Sequence, residues 1–181
     1  MAKCAYRGEK IREIEEKWID DNVKDEGEKR RKKEILNEIL KYLGEKAECR
    51  FEAISEGEFC IFHDPDYWME HSDEVRQKFL EHLERDEEKF FIGFHLPSIK
   101  LPKTIEKELH MELAKLYGAL EAEGTTFKEL ASFDGVTFEG DVIFGESRFK
   151  AEAIFYEATF EKEVDFDRVT FEKEAMFNRA I

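Results

Sequence analysis

Residues 133–166 read FDGVTFEGDVIFGESRFKAEAIFYEATFEKEVDF, with phenylalanine at 133, 138, 144, 149, 155, 160 and 166, in steps of five and six by turns. A helix turns about 100° per residue, so residues five apart would lie roughly 140° from each other and the rings would alternate between opposite faces. An extended chain serves better, because residues i−2 and i then point the same way. Two places before each ring, on to Phe171 and Phe177, stands a small residue: Ala131, Val136, Val142, Ser147, Ala153, Ala158, Val164, Val169 and Ala175. Each unit therefore turns one small and one large side chain inward. The Gly, Asp, Glu, Lys and Arg residues between units suit corners and outward faces.

The beat is an eleven-residue period made of two short strand-and-corner units, the signature of a solenoid. Run backward from Phe133, the same steps land on Phe127, Ala122, Leu116, Met111 and Ile105, all apolar. Thr125, Leu120, Ala114 and Leu109 stand two places before the first four. A second reading of this early part remains open, since Leu109, Leu113, Leu116 and Leu120 are spaced as an amphipathic helix stripe.

Units such as ASFDG, VTFEG, AIFYE, ATFEK and VTFEK resemble the pentapeptide-repeat family, in its phenylalanine-rich variety with alternating five- and six-residue spacing. That resemblance implies a right-handed, four-sided (quadrilateral) β-helix with the rings stacked inside. A four-sided coil would use 22 residues, and the 77 residues from 105 to 181 would make 3.5 coils. At about 4.8 Å per strand spacing they form a rod about 17 Å tall. Burial of each ring should contribute about 1.5 to 3 kcal/mol before entropy is counted. The next inward position after Phe177 would be 182, past Ile181. An open last coil of this kind either continues in a longer repeat or docks on a second copy as a homodimer.

Residues 1–89 read as a helical domain, and 90–104 as a linking segment before the β-helix of 105–181. Glu9 to Asp20 puts Ile11, Ile14, Trp18 and Ile19 on one helical face. Glu28 to Leu43 does the same with Ile35, Leu36, Ile39, Leu40 and Leu43, and Gly44 follows as a C-terminal cap. DDNVKDEG between them is a turn, and EKRRKKE is the solvated charged face of the resulting hairpin. A third helix is expected from an N-cap at Ser72 to about Arg85, burying Val75, Phe79, Leu80 and Leu83. FFIGFHLP, residues 90–97, reads as a strand covering the first coil.

The stretch ECRFEAISEGEFCIFHD, residues 48–64, holds Cys49, Cys60 and His63, with Cys4 ahead of the first helix. Three cysteines and a histidine are the donor set of a closed tetrahedral zinc site, which would clamp a loop-rich segment with little core of its own. The set resembles short zinc-binding modules with a Cys, Cys, Cys-x2-His pattern. Those modules place the first two cysteines close together, whereas a helical hairpin here separates Cys4 from Cys49. The alternative reading makes the cysteines small buried apolar residues. The nearby Asp64, Asp66, Glu70 and His71 could be drawn as a hydrolytic metal cluster, but Asp64-Pro65-Asp66 reads more simply as a turn. His82, His95 and His110 show no partner at useful spacing.

A net charge of −15 disfavours a broad basic surface for duplex DNA and points to basic partners. Only four amide side chains, Asn22, Asn37, Gln77 and Asn178, stand beside a heavy load of Glu and Lys, a pattern of thermophile proteins. Three unpaired cysteines fit a reducing cytoplasm. No apolar run reaches the roughly 20 residues of a membrane span, and MAKCAYRGEK lacks the apolar core of a signal peptide. No nucleophile motif, phosphate-cradling loop or dinucleotide fingerprint is visible. The expectation is a non-enzymatic acidic scaffold, with 9 basic and 18 acidic residues in the repeats. Its alternatives are a DNA-mimic inhibitor of a DNA-binding protein, as the family resemblance implies, and a metal-dependent enzyme around Cys60, His63, Asp64 and His71. A further alternative is nucleic-acid binding through the zinc module and Lys29–Lys33.

Overall fold

A computed structural model describes residues 2–54, 57–85 and 89–181. The parallel ladders run from Lys89 to Met176 and close into about four turns of β-helix with four faces. The first face stacks Lys89–Phe90, Leu109–His110, Ala131–Ser132, Ala153–Ile154 and Ala175–Met176. The second stacks His95–Leu96, Lys115–Leu116, Thr137–Phe138 and Thr159–Phe160. Ile99–Lys100, Leu120–Glu121, Val142–Ile143 and Val164–Asp165 make the third face. Thr104–Ile105, Thr126–Phe127, Arg148–Phe149 and Thr170–Phe171 make the fourth.

Inside, rings 22 residues apart lie on one another. Phe127 and Phe149 stack at 4.4 Å, Phe133 and Phe155 at 5.0 Å, and Phe155 and Phe177 at 4.8 Å. Ala131, Val136, Val142, Ala153 and Ala158 are buried beside them. The eleven-residue period also appears in the backbone. Leu113, Gly124, Gly135, Glu146, Glu157, Arg168 and Arg179 recur at that interval with φ between 55° and 65°, one at every second corner. In the last coil the cover thins, with Phe177 38% and Ile181 62% exposed.

One open alternative is decided and one expectation changes. The helical reading of Leu109, Leu113, Leu116 and Leu120 gives way to strands and corners of the second coil. The stretch 90–104, expected to cover and link, supplies the first coil itself. Lys89 and His95 pair with residues 20 further on, Ile99 with one 21 on, and Thr104 with one 22 on. The first coil is therefore two residues short, at the corners that hold Pro97 and Pro102. A strict backward beat from Ile105 reaches the exposed Lys100, whereas Ile99 and Leu101 on either side of it are buried.

The N-terminal region contains α1 (Lys10–Asn22), α2 (Glu26–Leu43), a 3-10 turn (Gly44–Ala47), α3 (Tyr67–Glu70) and α4 (Ser72–Arg85). Asp25 caps α2 by accepting from the Glu28 amide at 2.8 Å, and Gly44 ends it with φ 55°. α4 opens one residue earlier than expected, the His71 carbonyl accepting from the Val75 amide. This helix closes the end of the solenoid: Phe79 meets Phe91 at 4.8 Å, and Arg76 donates to the Ser98 carbonyl.

The α1–α2 hairpin takes another position, along the flank at the corner between the first and second faces. Ile39 lies against Gly135, where a Cβ would approach its Cδ1 to 2.9 Å. Further along, Lys32 donates to Thr159 Oγ1, and Arg31 bonds Glu157 at 2.6 Å and the Arg179 carbonyl. The basic run expected to be solvated is thus partly consumed in docking. Lys29 pairs with Glu26 and Lys33 with Asp20 on the helices themselves. No helix among the described residues is long and apolar enough to cross a membrane.

Candidate metal centre

Cys4, Cys49, Cys60 and His63 come together although a 44-residue stretch separates the first two. The hairpin returns the chain to its start. Residues 2–6 run antiparallel to 49–53, with the Cys4 amide donating to the Phe51 carbonyl, Cys49 to Tyr6, and Ala53 to Ala2. Cys60 and His63 sit on the following turn, where the His63 amide donates to the Cys60 carbonyl.

The four donor atoms lie within 4.8 Å of one another. Cys49 and Cys60 sulfurs are 3.6 Å apart, Cys60 Sγ is 3.3 Å from His63 Nδ1, and Cys4 Sγ is 3.7 Å from it. Bonds of about 2.3 Å in a tetrahedron put sulfurs about 3.8 Å apart, so these spacings suit one ion. A disulfide would need about 2.05 Å, and all three cysteines are free. Every donor is buried.

The histidine is oriented for the task. His63 Nε2 lies 2.8 Å from the Ile92 carbonyl, which can only accept, so Nε2 carries hydrogen and Nδ1 faces the sulfurs. Tyr6 stacks on the ring at 4.0 Å. Backbone amides of Cys60 and Phe51 donate to the Cys4 and Cys49 sulfurs. Without an ion, protons hold the cluster together. Burial pushes the His63 imidazole down, but hydrogen bonding and charge from Cys4 and Cys60 prevail and raise it to about 9. Hydrogen bonds from Cys49 and Cys60 drive the Cys4 thiol far down, against its burial. The Cys49 thiol goes far up, through its hydrogen bonds to Cys4 and Cys60 and its burial. The cluster thus favours a protonated imidazole beside a negative charge shared among the sulfurs. A cation would displace those protons, so affinity should fall with pH. The four residues could hold a metal ion.

The site stands at the joint between cap and solenoid. The Phe62 carbonyl accepts from the His95 amide of the first coil, and Phe62 stacks on Phe94 at 4.4 Å. The other proposed cluster does not assemble: among the described residues, only the cysteine–histidine group has metal-binding geometry. Asp64 instead accepts from the Asp66 and Tyr67 amides, and His71 stacks on Tyr67.

Sequence reading missed two constellations. Tyr6 donates to Glu15, which pairs with Lys115 of the second coil; all three are buried. Only the docking of α1 brings them together, and no spacing marks them. His110 lies between Glu112 at 2.8 Å and Glu108 at 3.4 Å. That pattern was available, since alternate residues of an extended chain share a face.

Neither a curated protein nor a solved structure matches the chain. Residues 122–170 match the family model for pentapeptide repeats, in nine copies, and this segment is a run of pentapeptide repeats.

Proposed function

We propose that the protein is a non-enzymatic scaffold or protein-interaction module whose helical cap and flank are locked to a β-helix by one structural zinc ion. The repeat fold supports the scaffold reading. Cys4, Cys49, Cys60 and His63 supply four protein donors of soft and borderline character, which suits zinc and leaves no position for a substrate. That closed set is the observation carrying the proposal. The partner should offer a basic surface, because the chain carries a net −15 and spends part of its basic run on its own flank.

Native mass spectrometry of the reduced chain, supplied with zinc and then given a strong chelator, tests the clamp. One zinc per chain, lost to the chelator, is expected. A chain that takes up none overturns it. The same spectra would show a dimer if the half-covered rings of the last coil dock on a second copy.

A further inference from the structure

The four donors are not equally sheltered. A cleft of about 200 Å³ opens between the 3-10 turn and the first coil, bounded by Lys46, Phe51, Phe90 and Phe94. Cys49 and His63 line it, and Cys4 and Cys60 do not. Cys49 is also the most exposed donor, at 5% against 1% for Cys4, 1% for Cys60 and 2% for His63. The Cys60 sulfur lies 3.6 Å from that of Cys49.

We propose that Cys49 is a redox-modification site, at which a small hydroperoxide oxidises the metal-bound thiolate and Cys60 resolves the product into a disulfide, releasing the ion. The inference rests on the zinc-clamp reading and adds its regulation. Coordination by a cation keeps the sulfurs ionised, and the thiolate is the form that reacts. With hydrogen peroxide, the Cys49 sulfur attacks one oxygen, the O–O bond breaks, and Cys49 becomes a sulfenic acid as hydroxide leaves. The Cys60 thiolate then attacks that sulfur, the S–S bond forms, and a second hydroxide leaves. Two thiolates lose two electrons to one peroxide, which ends as two hydroxide ions. Two of the four donors are then spent, and zinc departs from Cys4 and His63. A reachable thiolate beside a resolving cysteine is the arrangement that such oxidation requires. The cleft decides the order, because its walls admit a small molecule to Cys49 before the others.

The test uses the zinc-loaded chain and limiting hydrogen peroxide, with peptide mapping and a colorimetric zinc indicator in parallel. The expected product is a Cys49–Cys60 linked peptide, lighter than its reduced parts by about 2 Da, appearing together with free zinc. A small alkylating agent used at partial reaction should mark Cys49 several-fold ahead of Cys4 and Cys60. A first product linking or marking Cys4, or zinc retained at peroxide levels that oxidise a free thiol, overturns the proposal. A chain that never binds zinc overturns the clamp itself, and the loading step reveals that before any peroxide is added.

Discussion

Asp134 occupies a corner where its charge is poorly served. Glu112 holds the equivalent place one coil earlier; it is buried, its Oε2 has no hydrogen-bond partner, and Asp134 Oδ1 has none either. His110 engages the other Glu112 oxygen. Burial, and then the charges of Glu112, Glu157 and Glu38, push the Asp134 carboxyl up to about 7. The folded-state value lies above the ordinary 3.8, so folding takes up a proton between the two. The cost of Asp134 is therefore absent below pH 3.8, grows as pH rises, and is complete above about 7. Asp134→Asn keeps the shape without the charge. It should be more stable than the parent above pH 7, with the gain fading toward 3.8. Urea unfolding over a pH series checks this, and a gain independent of pH would show that charge is not the cause. Nothing in the sequence singles out Asp134, since the same slot holds Glu112, Tyr156 and Asn178 in other coils. Its burden arises because Ile39 of α2 lies against neighbouring Gly135 and Glu38 reaches Tyr156.

At the scale of the element, the phenylalanine column carries the solenoid. Phe155 is fully buried between Phe133 at 5.0 Å and Phe177 at 4.8 Å, and meets Phe144 edge-on at 5.7 Å. Packed neighbours on both sides cannot collapse into the gap, so Phe155→Ala should cost about 3 to 5 kcal/mol. A melting temperature within a degree or two of the parent's would refute it. This column was legible because each ring occupies a repeated slot and its small partner precedes it by two. The coil before residue 105 was illegible for a physical reason: two corners lost a residue each, so a fixed step drifts off the inward face there. The helices were legible from their apolar stripes, as Ile35, Leu36, Ile39 and Leu43 are buried as read. Their resting place was not, because the flank contacts pair residues far apart in the sequence, as in Arg31 with Glu157 and Ile39 with Gly135. The four residues that cluster could be named from residue type, but the return of residues 2–6 to 49–53 belongs to the hairpin's length and could not be read.

Across the whole molecule, the candidate metal centre and the flank are joined through one side chain. Tyr6 stacks its ring on His63 and donates its hydroxyl to Glu15, and Glu15 pairs with Lys115 of the second coil. Gly93 makes room for this, since any Cβ there would collide with the Tyr6 ring and hydroxyl. Burial pulls the Lys115 ammonium down while Glu15 holds it up, so the pair is stable only as a pair. Glu15→Gln should cost about 3 to 5 kcal/mol by leaving a buried cation uncompensated, and adding Lys115→Met should recover most of it. A double-mutant cycle in urea separates this from simple loss of packing, which would leave the two substitutions additive. The same chain of contacts predicts what the proposed ion would do at a distance. Its removal frees His63 and the 2–6 segment, hence Tyr6, and α1 loses the anchor at its N-terminal end. The later coils keep their own ladders and ring stacks. Amide exchange with and without chelator should therefore rise across Lys10–Asn22 and remain unchanged over residues 131–154. Equal loosening of both regions would mean that the clamp supports the rod as a whole, and no change in α1 would mean that the hairpin holds the flank by its own contacts.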